Sequence, residues 1–83
     1  MYYIHMSNNI DTSAIIERPV LTKDESYVGV VESIDKAQVM GNLIIRGKMG
    51  LRKYSIPSKF IVSFDDGRLL LDMSRDDFIQ YEI

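Results

Sequence analysis

The 83-residue chain has no cysteine and no tryptophan, only two prolines, and a single histidine, His5. Without cysteine there is no disulfide, no thiolate metal site and no thiol nucleophile. Stability must then come from apolar packing, alone or combined with self-association, because a chain this short buries a modest share of its surface. His5 lies in what reads as a terminal extension, so a Ser-His-acid arrangement lacks a positioned base. No apolar run approaches the ~18 residues that a membrane span needs. The start, Met1-Tyr2-Tyr3-Ile4-His5-Met6, has neither the basic region nor the long apolar region of a secretory signal. A cytoplasmic location is the expectation.

Chemistry-bearing motifs are equally sparse. There is no Gly-rich phosphate loop, no dinucleotide fingerprint and no calcium-loop spacing. The acid pairs Asp65-Asp66 and Asp76-Asp77 do not converge on one point, because neighbours in a strand or helix diverge. They suit a turn and a helix start instead. No catalytic, metal or cofactor residue is expected, and the chain does not read as an enzyme.

What is present is a pattern of short strands. Apolar residues make up 46% of the chain, enough for a packed domain and too many for a disordered one. Residues 1–12 read as an extension, either a frayed terminus or an edge strand through Tyr2, Tyr3 and Ile4, and residues 13–83 as the domain. Ala14 to Leu21 reads as a first strand, with Pro19 placing it at an edge or a bulge. Tyr27 to Ile34 alternates as a second strand, and Gly29 within it suggests a bend. Val39 to Arg46 reads as a third strand, shortened to Leu43–Arg46 if Gly41-Asn42 turns. Leu51 to Ile56 reads as a fourth, ended by Pro57.

Phe60 to Phe64 and Arg68 to Asp72 flank Asp65-Asp66-Gly67, a strong hairpin signal because Gly tolerates positive φ. Ser74-Arg75-Asp76-Asp77 fits a helix start, with Ser74 as cap and acids at the positive end of the dipole. The following turns place Phe78 on the core. Six strands at this spacing with Gly-containing turns indicate a small antiparallel barrel.

The order Pro19-Val20, Tyr27 to Ile34, Leu43-Ile44-Ile45-Arg46, Tyr54-Ser55-Ile56-Pro57-Ser58-Lys59-Phe60-Ile61 and Leu69-Leu70-Leu71 resembles the PRC-barrel domain over about residues 14–80. The resemblance implies a six-stranded antiparallel barrel with a short C-terminal helix. It also implies a non-catalytic module that docks on a larger partner. Family members of this kind include the C-terminal barrel of a ribosome-maturation factor and adaptors in cell division. The resemblance carries no site residues.

Charge is segregated although the net charge is only −2. Arg46, Lys48, Arg52, Lys53 and Lys59 are five basic residues in a stretch without acids, while six acids follow between Phe60 and Ile83. Gly47-Lys48-Met49-Gly50 looks like the Gly-x-x-Gly loop that clamps nucleic acid in KH domains. Its flanks read as strands, however, so a hairpin turn is the better reading. The candidate surface for a partner or nucleic acid is Arg46, Lys48, Arg52, Lys53, Tyr54 and Lys59. A protein partner or a second copy, as a homodimer, fits an adaptor. RNA is the alternative, with few aromatics for stacking.

Overall fold

The computed structural model describes residues 12–35 and 41–83. The expected extension therefore lies outside the described residues, apart from Thr12, and so does His5. A short helix, α1 (Thr12–Ile15), precedes six strands: β1 (Pro19–Leu21), β2 (Tyr27–Asp35), β3 (Asn42–Gly47), β4 (Lys53–Pro57), β5 (Ile61–Asp65) and β6 (Arg68–Leu71). A 3₁₀ turn, Ser58–Phe60, joins β4 to β5, and α2 (Arg75–Phe78) runs into a second 3₁₀ turn, Ile79–Tyr81.

The first expected strand is corrected to a helical turn followed by a three-residue strand. Glu17, at φ +65°, breaks the chain direction between them. This break lets Ile15 and Val20 both reach the core, where each is almost fully buried. Pro19 cannot donate to a ladder and begins β1, with a bulge between Val20 and Leu21. The strand itself is interior, between β2 and β6.

All six strands form one sheet in the order β4-β3-β2-β1-β6-β5. Two features differ from a closed antiparallel barrel. The sheet is mixed, because β1 pairs with β6 in parallel, and it is open between β4 and β5. Both follow from the link between β4 and β5. The 3₁₀ turn does not reverse the chain as a hairpin would, so β5 keeps the sense of β4, and β6 then runs with β1.

The same link sets the curvature. In a flat sheet β4 and β5 would lie five strand spacings apart, about 24 Å. The four steps from Pro57 to Ile61 reach at most about 14 Å. The sheet must therefore coil until its edges approach each other. Coiling puts Val20, Val31, Leu43, Ile45, Ile56, Leu69 and Leu71 inside, all with no exposed surface. Each such side chain contributes about 1.5–3 kcal/mol relative to exposure.

Helix α2 and the turn after it cover the seam. Ser74 caps α2 through its Oγ, which accepts from the Asp77 N–H at 3.2 Å. Phe78 is 1% exposed and packs on Tyr54 of β4, with ring centroids 4.4 Å apart. Tyr81 meets the edge of Phe60 at 5.9 Å. Beyond it, Tyr54 and Glu82 form an antiparallel bridge, and the Ile83 N–H donates to the Lys53 carbonyl at 2.9 Å. The free edge of β4 is thus partly paired by the tail.

The expected hairpin is present. Asp66 and Gly67 both have positive φ, as a two-residue turn of the primed kind requires. Gly29 marks the expected bend in β2. Val28 and Val31 are both buried although three residues apart, which a straight strand forbids. Gly29 has φ +150°, and a Cβ there would sit 2.1 Å from the Arg46 carbonyl oxygen. Gly29→Ala should destabilise the fold by at least the ~1–3 kcal/mol of one strained backbone position. Chemical denaturation checks this, and a loss below about 0.5 kcal/mol, the range of neutral surface changes, would contradict it.

Candidate interaction groove

The hairpin β3–β4 turns through the segment Gly47-Lys48-Met49-Gly50. The Gly50 N–H donates to the Gly47 carbonyl at 2.9 Å, and the Gly47 N–H to the Arg52 carbonyl at 2.8 Å. Gly50, at φ +75°, faces open space. The pair of glycines therefore makes a strand-to-strand turn and does not join two helices.

The tip of this hairpin is apolar where solvent is expected. Met49 is 83% and Leu51 86% exposed. They stand beside α2, and between them runs a groove of about 180 Å³. Its floor is Val28, Tyr54 and Phe78, and its rim carries Met49, Leu51 and the exposed Ile79. Lys48, Arg52 and Arg75 also line it, and among the described residues no acid does.

The basic segment is dispersed and largely neutralised. Arg46 donates to both carboxylate oxygens of Glu17, at 2.8 and 3.0 Å. Glu32 lies 3.8 Å from Arg46 and 2.8 Å from Lys53, so four side chains form one exposed chain of charges across β2, β3 and β4. Hydrogen bonding to Glu17 holds the Arg46 proton more firmly than usual. Arg52 pairs with Glu82 at 2.9 and 3.0 Å. Lys59 lies beyond the far end of β4, over the Phe60 ring at 5.3 Å. Tyr54, expected on the exposed surface, is 8% exposed and belongs to the core. Lys48 makes no ion pair among the described residues, and neither does Arg75, which lay outside the expected surface.

Sequence reasoning missed the groove because it needs α2 beside a distant hairpin. Its one local signal is Met49 and Leu51 flanking a glycine in a turn. No group of three or more metal-ligating side chains occurs among the described residues.

Asp24 fixes α2 at the groove wall. In the turn after β1 it accepts from the Thr22 hydroxyl and, at 3.4 Å, from the Arg75 N–H at the start of α2. The Thr22 bond is the main reason its carboxyl is held below the usual range, against partial desolvation, with the Arg75 amide helping.

The PRC-barrel domain model matches residues 8–78. Among solved structures, the RimM protein of Pseudomonas aeruginosa, whose name assigns it to 16S ribosomal RNA processing, superposes with a TM-score of 0.70 at 16% identity. The match covers 83% of this chain and 46% of the RimM chain, so this chain spans less than half its length. At that identity the likeness is one of fold. No curated protein sequence matches the chain. No helix among the described residues is long and apolar enough to cross a membrane.

A carboxyl whose folded pKa is depressed stabilises the fold above its ordinary range and loses that contribution as pH falls through the folded value. Asp24→Asn should therefore lower the melting temperature at neutral pH. The gap from wild type should narrow as pH falls below about 3.9, the ordinary aspartate value. Thermal melts at several pH values check this, and a gap that is constant with pH would contradict it.

Proposed function

The chain belongs to the PRC-barrel domain family, and from that premise we propose that it is a non-enzymatic adaptor that binds a protein partner through the groove between the β3–β4 tip and α2. The observation that supports this most is the exposure of Met49 and Leu51 beside an apolar floor. Apolar side chains gathered on an exposed face mark interaction sites, whereas single scattered ones need no explanation. The sequence has no cysteine and a single histidine, which favours binding over catalysis.

A second reading is an RNA- or ribosome-associated module using residues 46–59. The fold shared with RimM favours it. Against it, Arg46 and Lys53 are paired with Glu17 and Glu32. Phosphate contacts need cations free to displace counterions.

Affinity capture from native lysate separates the readings. Wild type should recover a protein that survives nuclease treatment, and Met49→Asp/Leu51→Asp should lose it while keeping its melting temperature. Capture abolished by nuclease, together with loss on Arg52→Ala/Lys53→Ala, would favour RNA. Capture unchanged by the Met49/Leu51 substitutions would overturn the proposed surface.

A further inference from the structure

We infer that the partner presents this groove with a short segment in which a large apolar side chain is flanked by carboxylates. The inference rests on the docking function proposed above and names the chemistry of the partner.

Size comes first. About 180 Å³ is below the ~300–1,000 Å³ usual for small-molecule sites, so a side chain fits better than a metabolite. The floor is apolar, so the inserted group is apolar. Charge comes next. The lining holds Lys48, Arg52 and Arg75 and no acid, and two of these cations are unpaired among the described residues. An incoming segment is therefore complementary when it carries acids beside its apolar anchor.

The same facts weigh against other occupants. A second copy docked about a two-fold axis sets the same patch against itself, facing these cations with cations. An RNA base needs an open ring to stack on, and Tyr54 and Phe78 are 8% and 1% exposed.

Glu82 already holds the position that a partner carboxylate would take. Its oxygens lie 2.9 and 3.0 Å from Arg52, and both side chains are well exposed. The bound segment takes over Arg52 from Glu82, so Glu82 weakens binding by competition.

The test is selection of a displayed library of random peptides on the full chain, followed by titration of the enriched peptide against variants of confirmed melting temperature. Enriched sequences should place a large apolar residue next to Asp or Glu. Lys48→Ala/Arg75→Ala should weaken binding about tenfold, and added salt should weaken it further. Glu82→Gln should tighten it by about two- to fivefold, the size of one exposed ion pair. Enrichment of basic or uncharged peptides would overturn the inference, as would unchanged or weaker binding by Glu82→Gln. Self-association that Leu51→Asp abolishes would give the groove to a second copy and overturn it too. If the captured protein still depends on Met49 and Leu51 while no acidic peptide is enriched, the docking function stands and this chemistry falls.

Discussion

Three residues between β4 and β5 decide the architecture. Their reach is shorter than the width of a flat six-stranded sheet, so the sheet has to coil. Coiling makes a core from strands only three to nine residues long. It also brings close two edges that no strand of the described residues joins. Unpaired edges invite association with other chains. Here the seam is covered by Phe78 and Tyr81, and the outer edge of β4 is partly paired by residues 82–83. The element that completes the core is thus the one that builds the groove wall.

That coupling explains why the groove is well defined in a small domain. Tyr54 and Phe78 are core residues first, and their inner packing makes the floor rigid. Asp24 and Ser74 hold the start of α2 from two directions. Over this fixed floor the hairpin tip contributes Met49 and Leu51, which have no packing role. Met in particular adapts to different apolar shapes. A rigid floor with adaptable edges suits the recognition of a side chain on another protein.

Local chemistry was legible in the sequence and long-range pairing was not. Asp66-Gly67, Gly29 and Pro57 act through their own backbone and Ser74 through a hydroxyl bonded three residues on, and each marks the feature expected. Ala14 to Leu21 misled because its Ile and Val suit either a strand or a helical turn, and only the reversal at Glu17 sorts them. The parallel pairing of β1 with β6 joins residues about fifty positions apart, which no local pattern encodes. The basic segment was visible, but Glu17, Glu32 and Glu82, which neutralise it, lie far away in the chain. Folding thus turned an apparent cationic face into an apolar groove with a cationic rim.

The proposed working face is this groove and not the basic segment as a whole. Cross-linking mass spectrometry on the complex with the captured partner tests it most directly. Cross-links should arise from Lys48 and Lys53, with those from Lys59 sparse. Cross-links concentrated at Lys59, beyond the far end of β4, would overturn it.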